Sequence, residues 1–305
     1  MITTELLDAL LSPGAAIANG EPSPRQQAES HYQSIPLLER VKGLFHLLNQ
    51  MYQHSSSNDE ARKMLACVLI RRDAASLGGG GNRLSQTSSS SPEASLLQEM
   101  ASPFLSMFLD SSGKENEKFR RMIGHCIAEF CLSLTLLSSS AGDEMMKGIL
   151  NGVGPGCAAA DPTSLQLLEY LAARSPLSFC RSGTPEGIVS LFTSAISSLQ
   201  NPCTDARYVK CVEALLGAVC EVGNSFETSE KAISKNKGGN VNELLFLLQV
   251  QANSTTDAKG CVNPQSNAAS LGRTCLPLLL DMILKITPSN SDELLSRCME
   301  HLSHA

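Results

Sequence analysis

The sequence predicts an all-α chain in which antiparallel helix pairs stack as an α-solenoid of about six to seven helical hairpins. Three observations carry this reading. Apolar residues recur at helical spacing in most segments, and no alternating strand pattern of convincing length interrupts them. Aromatic residues make up 4% of the chain and Trp is absent, against 42% hydrophobic residues overall. Small and aliphatic side chains must therefore do the packing, which suits helix-on-helix contacts better than a sandwich or barrel. Finally, the second helices of successive pairs start near residues 24, 58, 114, 162, 203 and 268. Once two low-complexity stretches are set aside, that spacing approaches the roughly 40 to 47 residues of a helical-hairpin repeat.

In chain order, Ile2 to Leu11 forms a short amphipathic helix that Ser12-Pro13-Gly14 stops. Pro24, at a first-turn position, opens the next helix; Ala28 and Tyr32 lie one turn apart on its buried side, and Ile35-Pro36 ends it. Leu37 to Gln53 follows, with a stripe of Leu37, Val41, Leu44, Phe45, Leu48 and Met51. Ser57 to Arg72 is the best-marked element. Ser57 and Glu60 form a capping box, Asp59 and Glu60 sit at the positive end of the helix dipole, and Arg71 and Arg72 at the negative end. Its core stripe is read as Ala61, Met64, Leu65, Val68 and Leu69, which leaves Asp59, Arg62 and Lys63 facing outward.

Beyond this element, Ala75 to Pro92 is rich in glycine and serine and is expected to be a flexible insertion. Glu93 to Leu109 is helical, with a kink expected at Pro103. Lys114 to Leu137 holds the helical period through Phe119, Met122, Ile123, Cys126, Ile127, Phe130 and Leu134. Ser138 to Gly142 breaks it. Asp143 to Val153 is a short helix closed by Gly154-Pro155-Gly156, and Pro162 to Arg174, Pro185 to Leu199 and Thr204 to Val222 are further helices. Residues 225–239 read as a loop, 241–250 as a short helix, and 252–268 as a second flexible insertion. The last helices are 269–286, bent by Pro277, and 292–301. The whole is expected to form one solenoid over 1–305: repeats at 1–75, 93–251 and 269–305, with insertions at 76–92 and 252–268.

Several function classes are disfavoured. The net charge is −6, from 24 basic and 30 acidic residues, with no basic excess of the kind nucleic-acid binders carry. No apolar run approaches the ~18 to 20 residues that cross a bilayer, and the N-terminus lacks the basic region of a signal peptide, so no membrane association is expected. The 11 cysteines are spread through apolar helical runs without a C-x-x-C or zinc spacing, and read as reduced core residues. There is no nucleophile-elbow, zincin or phosphate-loop motif. His125 stands beside Cys126, but adjacent helical residues point about 100° apart and do not form a thiol–imidazole pair. The chain is expected to be a non-enzyme without a cofactor or metal.

The second and fourth helices carry a resemblance. Arg25, Ala28, Glu29 and Tyr32 stand in an R-x-x-A-E-x-x-Y pattern. After one long apolar helix comes Glu60-Ala61-Arg62-Lys63-Met64-Leu65-Ala66-Cys67-Val68-Leu69-Ile70-Arg71-Arg72. In order and spacing these stretches resemble the N-terminal repeats of the importin-β (karyopherin-β) family of nuclear transport receptors. The segment around Tyr208 to Leu215 looks like a later repeat of its importin-five and importin-four subgroup. The resemblance implies HEAT-type hairpins and an N-terminal fragment of an import receptor. It further implies binding of the small GTPase Ran in its GTP form, carriage of protein cargo, contact with nucleoporins, and residence in cytoplasm and nucleus. The second helix of each hairpin is then the partner-facing one, with Gln26, Glu29, Asp59, Glu60, Arg62 and Lys63 as candidate Ran contacts. The helical pattern alone fits equally a generic HEAT or armadillo scaffold that holds other proteins.

Overall fold

The computed structural model describes residues 2–13, 22–53, 59–79, 91–110, 117–175, 178–179, 185–198, 210–219, 221, 275 and 277–278. Among these the regular structure is α-helical and no strand occurs. The helices are α1 (Thr4–Leu11), α2 (Pro24–Ser34), α3 (Leu37–Gln53), α4 (Glu60–Gly79), α5 (Pro92–Leu109), α6 (Glu117–Leu137), α7 (Ser139–Ala158), α8 (Pro162–Arg174) and α9 (Pro185–Ser198). Residues 210–219 are also helical. The chain divides into two compact units, Met1–Ser133 and Leu134–Ala305. The readings for 225–268 and 279–305, and the Ser57 half of the capping box, lie outside the described residues.

In the first unit, sequence sets the helix starts. Thr3, Ser23 and Ser91 accept hydrogen bonds from the amides of Leu6, Gln26 and Ala94, which satisfies donors that a helix start leaves unpaired. Packing then pairs the helices. Tyr52 of α3 lies beside Lys63 of α4, and Arg40 of α3 beside Asp73 of α4, so α3 and α4 run antiparallel. Phe104 of α5 meets Phe130 of α6 edge-on at 5.0 Å, while Arg120 donates to the Asp110 carbonyl at 3.0 Å, so α5 and α6 are antiparallel too. Between pairs the direction is kept. Phe45 stacks on Phe104, and Tyr52 donates to Asp110 at 2.5 Å, which places α3 and α5 side by side in the same sense. Cys126 donates its thiol hydrogen to the Cys67 carbonyl at 3.4 Å, and Gly78 abuts Ser133, which does the same for α4 and α6.

The second unit repeats this local arrangement. α7 and α8 are joined by Ala159 to Asp161, with Ala160 in the left-handed region at φ 52° and Asp161 capping α8. Ser198, ending α9, donates to the Ala158 carbonyl at the end of α7. The Cys211 thiol donates to the Ala160 carbonyl at 3.1 Å, and Gly217 lies against Glu169, so residues 210–219 run alongside α8 in its direction.

Three features of α4 and α7 depart from the sequence reading. First, α4 does not end at Arg72; it continues through Gly79, with Leu77 buried, into the stretch read as flexible. The glycine there serves close approach, since a Cβ on Gly78 would lie 2.6 Å from the Cα of Ser133. Second, α7 runs through Gly154-Pro155-Gly156 to Ala158. Pro155 sits in its last turn, where the missing N–H removes a single bond. The break before it is one residue, Ser138, which caps α7 through the Ala141 amide.

The third departure is the orientation of α4. Its buried residues are Lys63, Ala66, Cys67, Leu69, Ile70, Asp73, Ala74 and Leu77. Of the predicted stripe only Leu69 is buried; Met64 and Leu65 are half-buried, Ala61 is exposed, and Val68 is 47% exposed. Val68 and Ile70, at about 100° per residue, point to nearly opposite sides, so the helix is turned by roughly half a revolution from the predicted setting. Both sides of α4 are apolar enough for either to be buried. Contacts with α3 behind, and with the flanking helices, select the side that carries Ala66, Ile70 and Ala74.

Candidate functional site

Two helices of the first unit carry the candidate residues: α2 holds Gln26 and Glu29, and α4 with the residue before it holds Asp59, Glu60, Arg62 and Lys63. Gln26 is exposed on α2, but its Oε1 accepts from the Ser23 amide at 2.9 Å while Ser23 Oγ accepts from the Gln26 amide. The pair forms a capping box, so this side chain is engaged in starting its own helix. Glu29 is half-exposed and pairs with Arg25 one turn earlier at 2.9 Å. Glu60 is exposed in the first turn of α4.

Arg62 is a bridge. Its Nε and Nη2 donate to the two carboxylate oxygens of Asp8 on α1, both at 2.6 Å, and Nη1 donates to Asp59 at 2.9 Å. The fork geometry matches guanidinium to carboxylate. The hydrogen bond from Arg62 holds the Asp8 carboxyl below its usual range, and the two carboxylates push the Arg62 guanidinium up. Asp59 and Arg62 thus fix α1 against the start of α4.

Lys63 departs from the outward placement read from sequence. It is 4% exposed, and its ammonium lies 5.9 Å from the Tyr52 ring centre and 5.6 Å from that of Phe119. The rings' negative faces take the charge in place of water. Lys63 joins α3, α4 and α6 and presents no surface to a partner.

Two features were not singled out from the sequence. One is a buried polar node behind α4. The Tyr32 hydroxyl donates to Asp73 Oδ2 at 2.7 Å, and Arg40 and Arg72 meet the same carboxylate at 3.2 and 3.1 Å. Both guanidiniums also lie over the Tyr32 ring, at 5.0 and 5.4 Å. Burial, then the hydrogen bond to Asp73, pushes the Tyr32 phenol well above its ordinary range. The other is the solvent side of α4 and α6, where Leu65, Val68, Arg71 and Arg72 stand beside Arg121, Met122 and His125. Arg71 lies 3.9 Å from the buried Glu129 of α6. Burial, and then the positive field of Arg71 and Arg121, lowers the His125 pKa. The reversed setting of α4 is what brings this surface out; a wheel drawn on Lys63, Ala66, Ile70 and Asp73 would have found it.

Thiol chemistry has no foothold among the described residues. Cys67, Cys126, Cys131, Cys157, Cys211 and Cys275 are buried. Burial pushes the Cys157 thiol to about 12 and the Cys275 thiol to about 11, far from the thiolate form a nucleophile needs. Cys126 points its thiol at the Cys67 carbonyl while His125 occupies the solvent side. No group of His, Cys, Asp or Glu among the described residues is arranged to hold a metal ion. No helix of the described residues is long and apolar enough to cross a membrane.

Compared with known proteins, the chain matches no family model, no curated protein and no solved structure.

Proposed function

We propose that the chain is the N-terminal part of a nuclear import receptor of the importin-β type, an α-solenoid of HEAT-like hairpins. In this reading it binds Ran in its GTP form, carries protein cargo past nucleoporins, and works in cytoplasm and nucleus. The observation that carries the reading is the handing-on of direction from pair to pair. α3 and α5 lie side by side in one sense, and α4 and α6 in the other. Residues 210–219 repeat the relation with α8. Such a chain buries each hairpin against its neighbours and leaves a row of second helices to face partners. In this reading α2, with the signature residues Arg25, Ala28, Glu29 and Tyr32, and α4, with the Glu60 to Arg72 segment, would belong to that row. Of the named candidate contacts, Glu60 and Glu29 retain surface for a partner.

A second reading, a HEAT or armadillo scaffold with no GTPase dependence, is favoured by the fate of the other candidates. Gln26 caps its own helix, Arg62 binds both Asp59 and Asp8, and Lys63 is buried. Immobilised full-length chain incubated with Ran charged with a non-hydrolysable GTP analogue or with GDP separates the two. Retention of the GTP form alone supports the receptor. Retention of neither, or of both equally, supports the scaffold.

A further inference from the structure

The solvent side of α4 and α6 joins two properties. It is apolar, through Leu65, Val68 and Met122, and Val68 is 47% exposed. It is also cationic. The Arg71 and Arg72 side chains are 44% and 56% exposed, and Arg121 is exposed. The register set by Cys67 against Cys126 puts Leu65 and Val68 level with Met122 and His125, so the residues form one surface across two parallel helices. The carboxylates behind it, Asp73 and Glu129, are each 2% exposed. They are engaged by Arg40 and Arg72, and by Arg71. On the face itself the exposed guanidiniums of Arg71, Arg72 and Arg121 outnumber these two buried carboxylates, a local cationic character on a chain whose net charge is −6. His125 faces Arg71 from α4 and Arg121 from its own helix, and burial first, then their positive field, lowers its pKa.

We propose that this face is a docking surface for an acidic protein segment that carries apolar side chains. Apolar residues of the segment would cover Leu65, Val68 and Met122, and its carboxylates would meet Arg71, Arg72 and Arg121, where guanidiniums pair bidentately. The combination favours a polypeptide over nucleic acid, because a phosphate backbone uses the arginines and leaves Val68 wet. The charge supplies orientation and rate, and the apolar centre supplies residence. The inference stands apart from the GTPase reading, since it draws only on the packing of α4 with α6.

The test uses the full chain and a labelled synthetic peptide that alternates Glu or Asp with Leu or Phe, followed by fluorescence anisotropy. Three competitors accompany it: the peptide with Lys at its acidic positions, the peptide with Ser at its apolar positions, and an oligouridine of equal charge. The expected result is saturable binding that weakens with salt and is displaced by none of the three at equal concentration. The R71E/R121E double variant and, separately, V68D should each weaken binding by at least about tenfold. R25E, at the exposed Arg25–Glu29 pair on α2, should leave it unchanged. Unaltered thermal melts for all variants show that the fold is kept, and V68S repeats the apolar test with a milder change. Absence of binding, equal competition by oligouridine or by the Ser peptide, or binding unmoved in both R71E/R121E and V68D overturns the proposal.

Discussion

The node at Asp73 gives the most direct measure of what holds the first unit together. Tyr32 and Asp73 are each 2% exposed, and Tyr32 donates to the carboxylate at 2.7 Å. A hydrogen bond to a charged group contributes about 1.5–3 kcal/mol, and water cannot replace it at such burial. Asp73 keeps Arg40 and Arg72 when the hydroxyl is removed, so Tyr32→Phe is expected at the lower end, about 1.5–2 kcal/mol. Asp73→Ala removes the anion from the Tyr32 and Arg72 donors and from the Arg40 ion pair at once. Breaking a buried pair from one side costs about 3–5 kcal/mol. Arg72 is 56% exposed and can rehydrate, whereas Arg40 at 16% cannot, which places the expected loss at about 3–4 kcal/mol. The double variant should fall short of the sum, because the Tyr32 bond has no acceptor once Asp73 is gone. Urea unfolding of the full chain, followed by circular dichroism, reads all three. A Tyr32→Phe loss below about 0.5 kcal/mol, or strict additivity, would refute the reasoning.

Other expectations follow from single contacts. Gly148→Ala, in a helix where a Cβ meets nothing within 4 Å, should stabilise by about 0.5–1 kcal/mol through helix propensity. Gly78→Ala should gain nothing and lose about 1–2 kcal/mol, because the added Cβ strikes the Ser133 backbone; thermal melts of the pair should move in opposite directions. Lys63→Ala should lower stability by about 1–2 kcal/mol through the lost ring contacts and leave Ran affinity unchanged, as titration of the folded variant would show. His125 has a folded pKa below its ordinary value of about 6.5. The neutral form is therefore favoured in the fold, and stability present above pH of about 6.5 is lost as pH falls below it. His125→Gln should flatten the fall in melting temperature below about pH 6.5, and an unchanged slope would assign that fall to other groups.

Much of the helix pattern was legible because caps and breakers are local. Asp161-Pro162 and the Pro185 start fix α8 and α9 in sequence as they do in the structure, and Ala28 and Tyr32 face inward as their spacing implies. The setting of α4 was not legible, because its sides differ in partners rather than in polarity. Lys63 and Asp73, the most polar residues of the true buried side, look like surface residues until Tyr52, Phe119, Tyr32 and Arg40 come from elsewhere in the chain to cover them. Gly78 read as flexibility for the same reason: the α6 backbone that needs the space lies 55 residues later, at Ser133. The candidate contacts lie on α2 and at the start of α4, mostly on groups already engaged. From sequence alone Arg71 and Arg72 read as helix-end charges, and Leu65, Val68 and Met122 as core residues.

The receptor reading turns on one measurement, the ratio of affinities of the full chain for Ran bearing a non-hydrolysable GTP analogue and for Ran bearing GDP. Calorimetric titration of both forms at matched salt gives it directly. The account predicts at least about a hundredfold preference for the GTP form, a difference of roughly 2.7 kcal/mol. Equal affinity, or none for either form, would contradict it.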